Sequence, residues 1–415
     1  MNRLFTNSYF LSIFLALLPS IYLVIPGLNT LNAAKLIWIL LFTVLMLNTL
    51  KQKNKFKIKK TLLLLFLFFF LTQSLSVINA QNITAFINSY KDFLPLSFFF
   101  IISLFYVKTK SDIKKIFYIL LVSSLINILL QLFIFLDSNL FINIGSQIIH
   151  PAYFDAISAN IARGRIFLTT YDEILIPLIF YFFLRYSKKP HHTLLSLIIL
   201  VLIIIFASLS GFRTKILMAV FAITSSMIFF LKKTSRKGLL LIFIFFTFYV
   251  LYSISPSLNI QTGIDRLIPS ESTTKELTTG RTTYWKNAYE MGLSSPVIGI
   301  GLGNYYDYLD STLKTGFSFN KNQAIEHKIA LQDPHNIFVR IFAETGGLGL
   351  ISFILLLAYF FQNDILMLKT GNKISQSFIL SFWTLFIFSM LNPSSSLAYQ
   401  TLFWLFRGLL SNSRK

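Results

Sequence analysis

A histidine and two arginines stand out in this chain because they lie in short polar breaks of a sequence that is otherwise mostly apolar. His335 lies in the sequence Asp-Pro-His-Asn at residues 333–336, Arg281 lies in the same long polar stretch, and Arg213 lies in a separate short break. A neutral imidazole can accept a proton, and a guanidinium group can bind two phosphate oxygens at once. The three side chains therefore indicate chemistry on an anionic substrate that a lipid carries.

The residues around His335 predict the beginning of a helix. Asp333 is a suitable N-cap and Pro334 a suitable first helical residue. His335 would then lie in the first turn, where the positive end of the helix dipole favours the neutral imidazole. Arg340 and Glu344 are spaced as an i,i+4 ion pair on the same helix. The alternative is that His335 only helps to begin a helix at the membrane interface.

Arg281 is predicted to begin a short amphipathic helix that lies in the membrane interface, where Trp and Tyr are favoured. The residues that recur there at helical spacing are Tyr284, Trp285, Ala288 and Tyr289. Asn287 and Glu290 fall on other faces. Arg281 would grip phosphate oxygens of a substrate, or would only contact lipid head groups.

Three further basic residues accompany Arg213 on the same predicted side of the membrane. Lys215 shares its short turn at residues 208–215, whereas Arg163 and Arg165 lie in a longer polar segment at about residues 137–170. An arginine on the side opposite to most basic residues needs a reason. We expect these groups to bind substrate; the alternatives are snorkelling of Arg213 and Lys215 to lipid phosphate and simple solvation of Arg163 and Arg165.

Glycines punctuate the long polar stretch and the helix after His335. The repeat Gly299, Gly301 and Gly303 predicts a tight turn with close backbone approach. It is no dinucleotide fingerprint, because no βαβ unit surrounds it. Gly346, Gly347 and Gly349 are expected to allow close packing of helices. No outer segment carries paired acids or a His/Asp cluster with metal-ligand spacing, so we expect no metal and no other cofactor.

Composition identifies the class of protein that must position these residues. The chain has 415 residues, of which 55% are hydrophobic and 13% charged, and it has no cysteine, which excludes disulfides. Its net charge of +21 comes from Lys and Arg that cluster in alternate breaks between apolar runs. This distribution sets membrane topology and argues against nucleic acid as a partner.

We predict an all-α polytopic membrane protein with about 12 transmembrane helices and both termini in the cytoplasm. Residues 1–253 would form spans 1 to 9, residues 254–343 a large periplasmic loop with short amphipathic helices, and residues 344–415 spans 10 to 12. Arg3 and the apolar run after it are interpreted as an uncleaved first span, since no small-residue cleavage site follows. The predicted spans are 9–25, 34–50, 61–78, 92–107, 116–136, 171–185, 193–209, 216–231, 238–253, 344–361, 376–391 and 397–411.

The polar motifs together resemble the O-antigen ligase and O-antigen polymerase family. The resemblance rests on Gly280-Arg281, Trp285, Pro296 and Gly299, on Pro334-His335-Asn336, and on Gly346 and Gly349. The spacing from His335 to Gly346 is similar to the histidine motif of the ligases, and the equal spacing from Arg281 to Gly292 is similar to a motif of the polymerases. The specific part covers about residues 208–350.

The resemblance implies a bacterial inner-membrane glycosyltransferase with a fold similar to the GT-C class and a periplasmic active site. The donor would be a glycan on undecaprenyl diphosphate, and a ligase would transfer it to lipid A–core in lipopolysaccharide biosynthesis. Arg213 and Arg281 match the diphosphate-binding arginines of the family, and His335 matches its essential histidine. Such transfer would be metal-independent and inverting, with His335 as the base. The residues expected to assist in substrate binding are Asn336, Arg163, Arg165, Lys215, Trp285 and Tyr284.

Two other functions stay open at this point. A polymerase would extend lipid-linked repeat units, which requires a second cationic site and suggests a chain-length regulator as partner; Arg163 and Arg165 are candidates for that site. A flippase for lipid-linked oligosaccharides would place charges near the bilayer midplane, whereas the inner parts of these spans look nearly uncharged.

Overall fold

The computed structural model describes residues 2–17, 33–51, 59–148, 151–166, 168, 171–185, 190–231, 281–308, 334–392 and 397–412. Within these residues the regular structure is helical. Asp333, His150 and the predicted span 238–253 lie outside the described residues.

The described residues form helices that are numbered here in chain order. The first seven are α1 (Asn2–Leu17), α2 (Ala33–Lys51), α3 (Lys60–Leu75), α4 (Ile83–Tyr106), α5 (Lys110–Leu136), α6 (Ser138–Ile148) and α7 (Pro151–Ala162). The others are α8 (Ile176–Arg185), α9 (Pro190–Leu209), α10 (Arg213–Phe230), α11 (Arg281–Ser294), α12 (Ile337–Thr370), α13 (Lys373–Leu391) and α14 (Leu397–Asn412). Two 3-10 turns, Ser76–Asn79 and Asp172–Leu175, follow α3 and precede α8.

Five segments are long and apolar enough to cross a membrane: Lys60–Asn79, Ser111–Leu136, Arg213–Phe230, Ile337–Thr370 and Lys373–Leu391. Three shorter apolar helices, Phe5–Leu17, Ile37–Lys51 and Leu194–Leu209, accompany them. The prediction of an all-helical polytopic membrane protein is confirmed to this extent. The count of 12 spans, the GT-C likeness and the division into three regions stay predictions.

Local sequence explains where several helices begin. The Asn82 side chain accepts a hydrogen bond from the Ala85 amide at the start of α4. Thr109 and Asp112 form a reciprocal capping box at the start of α5. These caps satisfy amide groups that have no partner inside the helix, and the apolar runs that follow can stay helical in lipid because a helix satisfies its own backbone.

Small and hydroxylated residues bring the helices into contact. A Cβ atom added to Gly408 would lie 2.6 Å from Cβ of Ser103, so only glycine lets α14 approach α4 this closely. Between α3 and α12, the hydroxyls of Thr72 and Ser352 lie 2.9 Å apart in a hydrogen bond. Close backbone approach and interhelical hydroxyl bonds are the main means of holding helices together in lipid.

The two ends of the bundle differ in charge. At one end Lys51 ends α2, Lys60 begins α3 and Lys373 begins α13. The Lys373 ammonium donates to the carbonyl of Phe229 at the end of α10, 3.0 Å away. The beginnings of α10 and α12, which carry Arg213 and follow His335, therefore lie at the other end of the bundle.

Candidate functional site

The beginnings of α10 and α12 are joined through the last two turns of α13. The ring of Phe338, in the first turn of α12, contacts the ring of Phe386 with their centroids 6.0 Å apart. The Asn392 amide, at the end of α13, donates to the Thr214 hydroxyl over 2.6 Å. Because Phe386 and Asn392 are less than two helical turns apart, the backbone segments that carry His335 and Arg213 lie at one end of the same helix.

His335 precedes α12 instead of lying in its first turn, so that prediction is wrong. The N-cap is Asn336, whose side-chain oxygen accepts from the amides of Phe338 and Val339 at 2.9 and 3.3 Å. His335 has φ 52°, which belongs to the left-handed region and not to a right-handed helix. The cap is thus Asn336 and not the predicted Asp333, and Pro334 lies outside the helix.

Tyr284 lies beside His335, with the two ring centroids 6.4 Å apart. Only 5% of Tyr284 is exposed, and this burial raises the pKa of its phenol, so the hydroxyl keeps its proton at neutral pH. Arg281 begins α11 one turn before Tyr284, as predicted; its side chain lies outside the described part of the chain. The contact between Tyr284 and His335 thus places the start of α11 next to the start of α12.

The buried face of α11 differs from the predicted one. Asn287 is only 8% exposed, whereas Tyr289 is exposed and only leans against the ring of Phe342. The buried stripe consists of Tyr284, Asn287, Ala288 and Met291. The sequence predicted that the aromatic residues share one face of α11. Instead, α11 packs on α12 closely enough for the ring of Phe342 to contact the backbone of Gly292. Trp285 is half-buried, and its indole Nε1 is buried.

The glycine-rich turn after α11 is bonded to a break in α12 at Gly346. In a regular helix the amides of Gly347 and Leu348 would donate to the carbonyls of Ala343 and Glu344. Here the turn supplies new partners for all four groups. The bonds are Ile300 N to Ala343 O (3.0 Å), Gly301 N to Glu344 O (3.0 Å), Gly347 N to Pro296 O (2.7 Å) and Leu348 N to Val297 O (3.1 Å). The break in the helix is therefore fully compensated at the backbone.

Glycine is required on both sides of this contact. Gly346 has φ 65° and ψ −166°, a conformation essentially restricted to glycine, and a Cβ atom there would clash with the carbonyl of Val297. Gly299 has φ 74°, and its Cβ would clash with the backbone between Glu344 and Thr345. The predicted tight turn is confirmed, whereas Gly346 serves a helix break and not only helix packing.

The same turn is anchored to the connection between α3 and α4. Asn79 donates to the carbonyl of Gly299 over 3.1 Å, and the Leu302 amide donates to the Ser76 hydroxyl over 3.0 Å. The Asn82 amide donates to the side-chain oxygen of the buried Asn304 over 2.6 Å. Sequence reasoning missed these polar residues, although an asparagine pair flanking a predicted outer break was a visible signal.

Arg165 lies on the turn that carries Arg213. A Cβ atom added to Gly211 would lie 2.7 Å from Cδ of Arg165, so the arginine side chain rests on the glycine backbone. The Ile166 amide donates to the carbonyl of Leu209 over 3.0 Å and fixes this contact. Only Phe212 separates Gly211 from Arg213, which is the first residue of α10 and is half-buried. The structure thus brings together two basic residues that are far apart in sequence.

Electrostatics make this turn receptive to an anion. Burial, and secondarily the positive charge of Arg163, lower the pKa of Arg165, although a guanidinium stays charged at neutral pH. Arg163 itself is exposed. Partly buried cations that repel one another are stabilised when an anion binds between them.

Lys215 is buried, with 2% of its surface exposed, and its ammonium pairs with the Glu173 carboxylate at 3.7 Å. Snorkelling to lipid phosphate is therefore excluded for Lys215. Its role as a substrate ligand stays a prediction. Next to Glu173, Asp172 accepts hydrogen bonds from Ser124 over 2.6 Å and from Gln131 over 3.4 Å. These two acids lie inside a predicted span, and the sequence analysis assigned them no role.

The predicted residues thus form two groups at one end of the bundle. His335, Tyr284 and the backbone of Arg281 belong to the unit of α11 and α12, with Asn336 as the cap. Arg213 and Lys215 lie in the first turn of α10, and Arg165 contacts Gly211 in the turn before it. The arrangement offers cations for a phosphate group, a phenol that can donate, and an imidazole that can accept a proton. Among the described residues no cluster of three or more His, Asp and Glu side chains forms.

A comparison with protein families finds one match in this region. Residues 198–354 match the family model described as O-antigen ligase. The matched stretch includes Arg213, Arg281 and His335, together with the glycine-rich turn and the break at Gly346. A search of the curated proteins finds no match.

Proposed function

We propose, from the match of residues 198–354 to the O-antigen ligase family, that this chain transfers a glycan from undecaprenyl diphosphate to a sugar of lipid A–core. The family itself gives the broader statement: a membrane protein with glycosyltransferase-type activity on lipid-linked glycans. The donor, the acceptor and the stereochemistry are the parts that we propose. We further propose a bacterial inner-membrane location with both termini cytoplasmic and the site periplasmic, since the basic helix ends lie opposite His335.

One observation carries the proposal: the segments of Arg213 and His335 approach the same end of α13. Thr214 bonds to Asn392, and Phe338 contacts Phe386. The cationic turn and the histidine can therefore act on one substrate that enters from that end of the bundle. A diphosphate-linked sugar has the matching chemistry, because it joins an anionic leaving group to a carbon that a hydroxyl can attack.

The proposed reaction assigns one task to each group. Arg213 and Arg281 bind the diphosphate and stabilise the charge that develops as the bond to the anomeric carbon breaks. His335 takes the proton of the acceptor hydroxyl, which attacks from the opposite face and inverts the anomeric centre. Tyr284, whose phenol stays protonated, supports His335 or donates to a phosphate oxygen. No metal is needed in this scheme, since the arginines stabilise the leaving group.

The test uses purified full-length protein, a lipid-linked donor and a lipid A–core acceptor. We expect His335→Ala and Arg281→Ala to lose transfer by about 100-fold or more, since a general base or a charge-stabilising donor contributes at least that factor. Exposed Lys286→Ala, which removes only a surface ion pair with Glu290, serves as the control and should keep most activity. Wild-type turnover in either of the first two variants removes that residue from the mechanism.

Polymerisation of lipid-linked repeat units is the competing reaction of the same family. Arg165 rests on the turn of Arg213 and extends that cationic site, so it does not form a separate second site. This placement favours the ligase. A deletion strain distinguishes the two: unattached long chains on the carrier lipid identify a lost ligase, and single units on lipid A–core identify a lost polymerase. A flippase would keep transporting its substrate in the His335→Ala variant.

A further inference from the structure

A buried ion pair lies among the last three helices. Arg407 in α14 is 1% exposed, and its Nη1 donates to Oδ2 of Asp364 in α12 over 2.8 Å. Trp383 in α13 donates its indole N–H to the same oxygen over 2.9 Å. Arg407 lies within the predicted span 397–411, whereas Asp364 lies three residues beyond the predicted span 344–361 but inside the apolar segment Ile337–Thr370. Ionisable residues inside membrane helices usually have a functional role.

The guanidinium of Arg407 has one edge engaged and one edge unused. Its Cζ atom lies 3.3 Å from the centre of the Phe382 ring, which stacks on the guanidinium face. Nη1 is bonded to Asp364, whereas Nε and Nη2 are buried without a hydrogen-bond acceptor among the residues that the structure covers. Nε and Nη2 form the side-on fork with which arginine binds two oxygens of one oxyanion.

A cavity of about 50 Å³ lies beside this arginine. The polar residues that line it are Lys59, Tyr359, Asn363, Asp364, Arg407 and Ser411. Two cations face one carboxylate, so the lining carries one net positive charge. Lys59 is also the N-cap of α3 and makes no side-chain cap bond, so the positive end of that helix adds to the field.

Aromatic rings separate the cavity from the candidate transferase site. Phe382 stacks on the Arg407 guanidinium, and Phe386 contacts both Phe382, at 6.3 Å between ring centroids, and Phe338, at 6.0 Å. Lys60, which begins α3, marks this end as the basic one, and basic residues mark the cytoplasmic side of a membrane protein. Lys59 is exposed, so the cavity lies at the level where the lipid head groups of that leaflet meet water.

We propose that this cavity is a binding site for a phosphate oxyanion, held by the Nε–Nη2 edge of Arg407 and by Lys59. The oxyanion belongs either to the head group of an anionic lipid in the adjacent leaflet or to a soluble phosphate. Asp364 fixes the guanidinium so that its free edge faces the ligand, and Phe382 holds its plane. The proposal is independent of the transferase function.

The test measures how far each ligand raises the thermal unfolding midpoint of the delipidated full-length protein, since a ligand that binds only the folded state raises it. The ligands are dihexanoyl phosphatidylglycerol, dihexanoyl phosphatidylcholine and inorganic phosphate, each below any micelle-forming concentration. We expect saturable stabilisation by the phosphatidylglycerol or by inorganic phosphate, and none by the zwitterionic lipid. The first outcome identifies a lipid source, and the second a soluble one.

Two neighbouring lysines provide the matched variants. Lys59→Gln should weaken binding about fivefold, the effect of one basic residue near a membrane surface. Lys60→Gln, also exposed but outside the cavity lining, should leave it unchanged. Arg407→Lys keeps the charge opposite Asp364 but removes the Nε–Nη2 edge, so it should weaken binding further. If this variant does not fold, the comparison of Lys59→Gln with Lys60→Gln tests the proposal. No saturable effect of either phosphate ligand, equal stabilisation by phosphatidylcholine, or equal weakening in Lys60→Gln overturns the proposal.

Discussion

The two halves of the candidate site are built by different physical means. The half that carries His335 is held by backbone hydrogen bonds between the glycine-rich turn and the break at Gly346. The half that carries Arg213 is held by buried side chains, namely the Lys215–Glu173 ion pair and the bond from Asn392 to Thr214. The half with His335 therefore depends on glycine at specific positions, and the half with Arg213 depends on the pairing of buried charges between helices.

This difference predicts how each half fails. A backbone contact is lost when a side chain is added, because there is no room for it. A buried ion pair is lost when one partner is removed, because the remaining charge is left without compensation. Substitutions in the two halves should thus differ in whether a second substitution can rescue the first.

The largest expected effect concerns His335 itself. His335→Asn keeps the left-handed backbone that Asn tolerates, but it removes the ring nitrogens that accept a proton. We expect transfer to fall by about 100-fold to 10,000-fold, the usual range for a general base. The thermal unfolding midpoint should stay near that of the wild type. An active Asn variant would show that His335 serves only the shape of the turn.

The next effect concerns the charged half. Glu173→Gln and Lys215→Met should each destabilise the protein by about 3–5 kcal/mol, the range found when one partner of a buried pair is lost. The double variant should recover most of this loss, because it leaves no buried charge. Denaturation of the four proteins measures the coupling. Additive losses would mean that the two groups do not act as a pair.

Gly346→Ala tests the backbone half. We expect destabilisation of about 1–3 kcal/mol from the disallowed backbone conformation alone, with more from the contact at Val297. Gly347→Ala is the matched control, since a Cβ there would lie 3.1 Å from the carbonyl oxygen of Pro296 and needs only a small shift. Thermal unfolding of both variants decides. Equal midpoints would mean that the break tolerates a side chain.

The smallest effect concerns the anchor of the glycine-rich turn. Asn79→Ala removes the bonds to the Gly299 carbonyl and the Ser295 hydroxyl and should cost about 1–2 kcal/mol, since an ordinary hydrogen bond contributes about 1 kcal/mol net and the second bond is exposed. Asn88→Ala, on the exposed side of α4, removes only a bond from Lys91 and should be nearly neutral. Unfolding midpoints in one detergent compare the two. A neutral Asn79 variant would mean that the turn is positioned by α12 alone.

The sequence predicted the local elements of the site better than the packing contacts between them. The helix of Arg281, the tight glycine turn and the pair of Arg340 and Glu344, at 3.4 Å, were all found from local spacing. The buried face of α11 and the start of α12 were assigned wrongly. Both errors concern a choice between two locally acceptable arrangements, which packing against another helix decides.

What the amino-acid sequence determined by itself is local: apolar runs that must be helical in lipid, basic residues that mark one end, and glycines where the backbone needs them. The tertiary structure alone decided the pairing of Lys215 with Glu173, the contact of Arg165 with Gly211 and the burial of Arg407 beside Asp364. The physical reason is that the two kinds of feature depend on interactions over different distances along the chain. Backbone conformation and helix periodicity depend on adjacent residues, whereas a buried charge selects its partner from whatever side chain the packed helices bring within a few ångströms.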